Sequence, residues 1–110
     1  VITIEKDRRH FAFISQCQRT LSDDAWTPLC SDALKFINRC RETFDLIFAD
    51  PPYALPELGE LPDRIMNSSL LKPDTIFVLE HGKNYDFSTR ADFVEHRAYG
   101  SVNFSIFKKV

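Results

Sequence analysis

The sequence has 110 residues, a formal net charge of −2, 44% hydrophobic residues and 27% charged residues. This length allows one small domain, and we predict a single domain over residues 1–110. The composition excludes a disordered chain and is ordinary for a soluble globular protein. No apolar run approaches the ~20 residues of a membrane span and no signal peptide is visible, so we expect a cytoplasmic location without membrane association. The slight negative charge does not by itself favour a nucleic-acid partner.

The cysteines and histidines do not have the spacing of a metal site. Six such residues are spread along the chain: His10, Cys17, Cys30, Cys40, His81 and His96. The number of cysteines is odd, and no pair forms a C-x-x-C motif. We therefore expect reduced thiols and no bound metal.

The first part of the chain predicts two strand–helix pairs. Val1–Glu5 is a short apolar strand, and Asp7 is placed to cap the helix that follows. Apolar side chains at spacings of three and four share one face of that helix: Phe11, Ile14, Cys17 and Leu21. Trp26–Cys30 is a second strand, after which either Ser31 or Asp32 caps another helix.

The middle of the chain predicts a third pair. Phe44–Ala49 is almost wholly apolar, as expected for a strand in a parallel sheet that is covered on both faces. A helix should follow, with Pro62 in its first turn and these apolar side chains on one face: Leu58, Leu61, Ile65 and Leu70. Lys72–Asp74 is expected to end it, and Thr75–Leu79 is the next strand.

The C-terminal part predicts an antiparallel hairpin. Phe93–Tyr99 and Val102–Lys108 are strands joined by Gly100 and Ser101, a two-residue loop that suits a tight turn. Strand–helix alternation before the hairpin indicates right-handed crossovers. The predicted class is therefore α/β, with a mostly parallel sheet, helices on both sides and a C-terminal antiparallel hairpin.

Three acidic residues stand at or just after strand ends: Glu5, Asp32 and Asp50. Open parallel sheets bind ligands outside the carboxyl ends of their strands. An ionised Glu5 can accept two hydrogen bonds from a ribose diol, and Asp32 can accept one from an adenine amino group. Two structural alternatives remain open, because Asp32 can serve only as a helix cap and Glu5 can pair with Lys6 or Arg9.

The most specific signal is the segment Asp50, Pro51, Pro52 and Tyr53, hereafter the Asp-Pro-Pro-Tyr motif. Two prolines fix φ at adjacent residues and remove two backbone donors, so the segment is stiff and its carbonyls can face a ligand. The Asp50 carboxylate and a carbonyl beside Pro51 can each accept a hydrogen bond from one N–H of an –NH2 group. The Tyr53 ring offers a face for a base to stack on. The motif therefore predicts chemistry at a planar amine.

At these residues the sequence resembles class I methyltransferases that modify exocyclic amines, and in particular the bacterial small-subunit rRNA guanine-N2 methyltransferase family. The resemblance covers almost the whole chain, and the motif is its strongest marker. The matching stretches are Ile4–Arg9, Ser31–Leu34, Phe44–Tyr53, Leu70–Pro73, Leu79–His81 and Tyr99–Gly100.

The resemblance implies a Rossmann-like sheet, S-adenosyl-L-methionine as cofactor and rRNA or the small ribosomal subunit as partner. Glu5 would contact the cofactor ribose and Asp32 the adenine. The implied cofactor contacts are Glu5, Lys6, Asp32, Ala33 and Asp50. The implied catalytic residues are those of the Asp-Pro-Pro-Tyr motif, which would hold a guanine that has left its stack.

The sequence departs from that family at its start. Family members have a first strand, a glycine-rich loop and an RNA-contacting region before the Glu5 strand, and this sequence has none of them. We therefore expect the C-terminal part of a methyltransferase that binds cofactor weakly and is inactive alone. Either the strands that end at Glu5 and Asp50 pair directly, or the chain associates with a second copy of itself.

Two other functions remain open. One is methylation of a different amine, on DNA or on a protein amide. The other is a non-catalytic domain of this fold that acts in binding or assembly. His81 also has two interpretations, because it can touch RNA at the cleft or cap the turn to Gly82.

Overall fold

The computed structural model describes all residues from Val1 to Val110. Strands and helices alternate along the chain until three consecutive strands end it, which confirms the predicted α/β class. In chain order the elements are β1 (Ile2–Glu5), α1 (Arg8–Leu21), β2 (Thr27–Cys30), α2 (Ala33–Arg39), β3 (Phe44–Ala49), a 3₁₀ helix (Pro56–Glu60), α3 (Leu61–Met66), β4 (Leu71–His81), β5 (Phe93–Tyr99) and β6 (Val102–Lys108). None of the helices is long and apolar enough to cross a membrane.

The chain forms two compact units, Val1–Cys40 and Arg41–Val110. In the first unit β1 and β2 pair in parallel, with Glu5 opposite Cys30. Asp7 caps α1 as predicted, because its Oδ1 accepts hydrogen bonds from the backbone N–H groups of Arg9 and His10 at 2.8 and 3.0 Å. The prediction of one domain over the whole chain stays a prediction.

The second unit contains a four-stranded sheet in the order β3-β4-β6-β5. β3 and β4 are parallel, whereas β6 pairs antiparallel with both β4 and β5. The hairpin turns at Gly100, whose φ of 62° lies in the left-handed region that glycine tolerates. The predicted parallel strand pair and antiparallel hairpin are thus both present.

The core of the second unit lies against one face of this sheet. Side chains of β4 alternate between faces, so Thr75, Phe77, Leu79 and His81 are buried while the residues between them are not. The rings of Phe77 and Phe107 stack with centroids 5.4 Å apart. The 3₁₀ helix and α3 contribute four further buried apolar side chains: Leu58, Leu61, Ile65 and Met66.

The second unit departs from the prediction where β4 begins. Lys72–Asp74 was expected to end a helix, but these residues belong to β4, which starts at Leu71. The register against β3 shifts between Phe44 and Leu46. The Thr75 hydroxyl stabilises this irregularity, because it donates to the Phe44 carbonyl at 2.5 Å and accepts from the Lys72 N–H at 2.8 Å. Of the two alternatives for the strands that end at Glu5 and Asp50, direct pairing is wrong, since β1 and β3 belong to separate sheets.

Candidate functional site

In the first unit, the carboxyl ends of β1 and β2 carry four of the five predicted cofactor residues, Glu5, Lys6, Asp32 and Ala33, whereas Asp50 belongs to the second unit. Glu5 lies opposite Cys30 in the parallel register, and the Ser31 N–H donates to the Glu5 carbonyl at 3.1 Å. Asp32 is two residues beyond the end of β2, directly before Ala33, the first residue of α2. These residues therefore share one end of the two-stranded sheet, as the strand-end argument predicts.

Glu5 has polar neighbours that differ from those predicted. Its Oε2 accepts a hydrogen bond from the backbone N–H of Lys6 at 2.9 Å, and its Oε1 lies 3.3 Å from Nδ1 of His10. The expected ion pair with the side chain of Lys6 or Arg9 is absent, because the adjacent turn of α1 presents His10 instead. The Glu5 side chain remains 31% exposed, so its oxygens are accessible to further donors.

Asp32 does cap a helix, and Ser31 does not. One Asp32 oxygen accepts a hydrogen bond from the Leu34 N–H at 2.9 Å, and this bond is the main reason that the pKa of Asp32 is lowered. The other oxygen lies 3.7 Å from Nζ of Lys6, whose own side chain is largely exposed. Asp32 is thus held ionised, and its second oxygen can still accept a hydrogen bond.

These residues fit part of the implied cofactor. Glu5 and Asp32 provide carboxylate oxygens, which are the acceptors that a ribose diol and an adenine amino group require. The three glycines lie elsewhere, at positions 59, 82 and 100, all in the second unit. The first unit consequently offers acceptors for the nucleoside part but no glycine-rich loop for the methionine part.

In the second unit, the Asp-Pro-Pro-Tyr motif follows β3 directly. It ends in a turn in which the Leu55 N–H donates to the Pro52 carbonyl at 2.9 Å. The Pro51 carbonyl, in contrast, accepts no backbone hydrogen bond. Asp50 and Tyr53 are exposed, with Tyr53 41% accessible. The structure thus leaves a carboxylate, one carbonyl and a partly accessible aromatic ring at this strand end.

Glu80 lies beside the motif and was not among the predicted site residues. Ala49 of β3 is opposite Leu79 of β4, so Asp50 and Glu80 follow one another across neighbouring parallel strands. The Tyr53 hydroxyl donates to Oε2 of Glu80 at 3.1 Å. A signal was available in the sequence, because Glu80 follows the apolar run of β4 much as Asp50 follows that of β3.

The two carboxyl groups of this cluster influence each other. The pKa of Glu80 is raised, first by a hydrogen bond with Asp50 and next by desolvation, while the Tyr53 hydroxyl opposes the shift. The pKa of the Tyr53 phenol is also raised, mainly by desolvation and then by Glu80. Asp50 is thus the first cause of the raised pKa of Glu80, which ionises at a higher pH than an isolated glutamate.

His81 is a core residue and not an RNA contact. It is 1% exposed, its Nδ1 lies 2.7 Å from the Gly82 carbonyl, and its Nε2 lies 2.7 Å from Oγ of Ser105. With Nδ1–H donating to the carbonyl, Nε2 accepts from the Ser105 hydroxyl, which satisfies both ring nitrogens. Of the two interpretations of His81, the contact with the turn at Gly82 is confirmed.

Two of the solved structures with a similar fold are named as methyltransferases. "Putative methyltransferase yhhF" from Escherichia coli matches with a TM-score of 0.83 and 18% identity, over 98% of this chain and 61% of that chain. The SAM-dependent methyltransferase from Agrobacterium tumefaciens matches with a TM-score of 0.69 and 18% identity, over 98% of this chain and 48% of that chain. The fold is therefore the Rossmann-like fold of methyltransferases.

The family follows from the sequence. The chain belongs to the family described as Conserved hypothetical protein 95 (Cons_hypoth95), which matches residues 1–108. A relative in Rickettsia prowazekii (strain Madrid E), "Uncharacterized methylase RP545", is 31% identical over 68 residues, or 60% of this chain and 29% of that protein. The chain thus spans less than two thirds of the length of each of these three relatives. The resemblance to class I methyltransferases is confirmed, and the choice of rRNA guanine stays a prediction.

Proposed function

We propose that the protein is an S-adenosylmethionine-dependent methyltransferase that acts on the exocyclic N2 amine of a guanine in small-subunit rRNA. The observation that carries the proposal is the Asp-Pro-Pro-Tyr motif at the end of β3, where the Asp50 carboxylate and the unpaired Pro51 carbonyl stand close in sequence. These acceptors match the two protons of one –NH2 group. The methylase relative and the methyltransferase fold support the reaction class.

The nucleotide-binding role is assigned to the first unit. Glu5 would accept hydrogen bonds from the cofactor ribose, and Asp32 would accept one from the adenine amino group. Lys6 and Ala33 flank these acids, and Nζ of Lys6 lies 3.7 Å from one oxygen of Asp32. S-adenosylmethionine, when bound, supplies an electrophilic methyl group on a sulfonium sulfur.

The second unit would prepare the amine. The lone pair of an aromatic amine is delocalised into its ring, which makes the nitrogen a weak nucleophile. Asp50 and the Pro51 carbonyl hold the two N–H groups and so favour a pyramidal nitrogen with its lone pair directed outward. S-adenosylmethionine would supply the methyl group to this nitrogen, which would then release one proton to solvent. Positioning and electrostatics thus supply most of the catalysis.

The proposed partner is rRNA, either free or in the small ribosomal subunit, and the proposed location is the cytoplasm. The chain has a net charge of −2, so its own surface offers little general attraction for RNA. We therefore propose that recognition by this part of the protein rests on the target base rather than on phosphates. Association with a second copy of the chain remains part of the proposal for the isolated 110 residues.

The test is methyl transfer by the full-length gene product. The enzyme is supplied with S-adenosylmethionine that carries a labelled methyl group, and with rRNA, small ribosomal subunits, DNA or protein in parallel. We expect label in RNA, and we expect Asp50→Ala to lower the rate about 10²- to 10³-fold, as loss of a charge-stabilising group at a reacting centre does.

The matched control is Asp45→Ala. Asp45 is on β3, the strand that the motif follows. Its side chain is 89% exposed and pairs with Lys72, so this change should leave the rate unaltered. If Asp50→Ala keeps nearly full activity, the amine-holding role is wrong. Transfer to DNA or to protein instead of RNA would replace the proposed substrate, and no transfer to any of the four would favour a non-catalytic binding domain.

A further inference from the structure

We infer that Glu80 is the residue that selects guanine, because its carboxylate can accept a hydrogen bond from the N–H of the ring nitrogen beside the reacting amine. The inference rests on the proposed function and adds a residue to it. Asp50 and the Pro51 carbonyl account for the two protons of the amine itself. Nothing in that pair distinguishes the amine of guanine from those of adenine and cytosine.

The geometry places Glu80 at the same edge of the sheet as the motif. Ala49 and Leu79 are register partners on neighbouring parallel strands, and each is followed by a carboxyl residue. The Tyr53 hydroxyl fixes one oxygen of Glu80 at 3.1 Å. Side chains alternate along β4, so Glu80 lies on the face opposite the buried Leu79 and His81. Glu80 therefore contacts the motif and takes no part in the core.

The Tyr53 hydroxyl donates to Glu80, but no cation pairs with either carboxyl group. Neither Asp50 nor Glu80 takes part in any of the six salt bridges of the chain, although several exposed acids elsewhere do. Two neighbouring carboxylates without a cation between them repel each other. A ligand that presents N–H donors to both groups relieves that repulsion. The cluster is thus complementary to a row of N–H groups.

Guanine has such a row. Its N2 amine stands next to N1–H, so three N–H bonds point from one edge of the base. The ring nitrogen next to the amine of adenine or cytosine carries a lone pair and no proton. An ionised carboxylate only accepts hydrogen bonds, so Glu80 would face a lone pair with either of these bases. A site that is built to bind one group rejects an analogue lacking it, because its own polar atoms are then left unpaired.

The experiment compares Glu80→Gln with the wild-type full-length protein on RNA. Products are digested to nucleosides and quantified by mass spectrometry as N2-methylguanosine, N6-methyladenosine and N4-methylcytidine. The amide is nearly isosteric but has a donor. We expect N2-methylguanosine formation to fall about 10- to 100-fold, the loss expected for one hydrogen bond to a charged group. The ratio of adenine or cytosine products to guanine product should rise.

Two further variants separate selection from folding. Glu80→Asp keeps the charge and should keep the preference for guanine at a reduced rate. Glu95→Gln is the matched control, because Glu95 is exposed on β5 and pairs only with Arg97; both rate and preference should be unchanged. In the wild type, guanine methylation should increase with pH as Glu80 ionises through its raised pKa, and this ionisation should be absent from the Glu80→Gln profile. The wild-type pH profile does not depend on the stability of any variant.

The outcomes are distinguishable. If the wild type makes N2-methylguanosine and Glu80→Gln keeps the same rate and preference, the inference is overturned while the proposed function stands. It is also overturned if Glu80→Gln and Glu80→Asp lose activity equally with no change in base preference, since Glu80 would then be structural. If the wild type methylates only another base, guanine selection fails but methyl transfer stands. If the wild type transfers no methyl group, the proposed function itself fails.

Discussion

At the scale of single residues, the face of the sheet to which a polar side chain points decides whether it lies in the core or beside the candidate site. Glu80 and His81 are neighbours at the end of β4, yet they point to opposite faces. Glu80 therefore bonds to Tyr53, whereas His81 is sealed between Gly82 and Ser105. The prolines after Asp50 predict a role for that residue from the sequence. Glu80 also follows an apolar strand, but only the pairing of β3 with β4 shows that it lies beside Asp50.

The burial of His81 leads to a stability prediction. His81→Ala should lower the free energy of unfolding by about 2–4 kcal/mol, because it leaves a cavity and an unpaired Ser105 hydroxyl in the core. The control is His10→Ala, whose side chain is 73% exposed and which should change stability by less than about 0.5 kcal/mol. Urea unfolding monitored by circular dichroism measures both. Equal effects of the two changes would contradict the placement of His81 in the core.

At the scale of elements, the predictions succeed where local chemistry dominates. β3, β5 and β6 begin and end at the predicted residues, because apolar runs and a glycine turn define them. The predicted helix over Leu58–Leu70 is instead a 3₁₀ helix followed by a short α3. The start of β4 was missed because the Thr75 hydroxyl bonds to the Phe44 carbonyl across the sheet. Such a contact between distant residues leaves no local pattern.

Arg90 joins elements of the second unit that the sequence does not link. Its guanidinium bonds to both Asp92 oxygens at 2.8 and 2.9 Å, reaches Asp63 of α3 and lies 5.9 Å from the centroid of the Phe107 ring. The bonds to Asp92 are the first cause of the raised pKa of Arg90, and an arginine side chain is charged in proteins in any case. A forked cation of this kind fixes geometry as well as charge.

These contacts predict that a positive charge alone at position 90 does not preserve the stability of the protein. Arg90→Lys should lower the free energy of unfolding by about 1–3 kcal/mol, because an ammonium cannot reproduce the paired hydrogen bonds. Arg97→Lys is the matched control, since Arg97 is 54% exposed and bonds to Glu95 on the same strand. Chemical denaturation of both variants gives the comparison. If the Arg90→Lys variant is as stable as the Arg97→Lys variant, the hydrogen bonds of Arg90 do not stabilise the second unit.

At the scale of the whole molecule, the chain provides only part of the contacts that S-adenosylmethionine requires. The first unit provides the acceptors Glu5 and Asp32 but no glycine. Strand order was beyond the sequence, because the periodicity of a strand specifies its faces and not its neighbours. The insertion of β6 between β4 and β5 therefore emerged only from the structure.

The incomplete set of cofactor contacts predicts weak binding by the 110-residue chain. Isothermal titration with S-adenosylmethionine should show an affinity weaker than micromolar, because the methionine part finds no glycine-rich loop. Any residual affinity should depend on the acceptor for the adenine, so Asp32→Ala should remove it. Micromolar binding by the unaltered chain would contradict this account of the first unit.

The central claim is that the Asp-Pro-Pro-Tyr motif serves methylation of guanine N2 in small-subunit rRNA. The most direct measurement is nucleoside mass spectrometry of that rRNA from cells in which the gene is deleted. The account predicts that one N2-methylguanosine is lost, that the wild-type gene restores it, and that a gene carrying Asp50→Ala does not. An unchanged amount of N2-methylguanosine after deletion, or full restoration by Asp50→Ala, would contradict it.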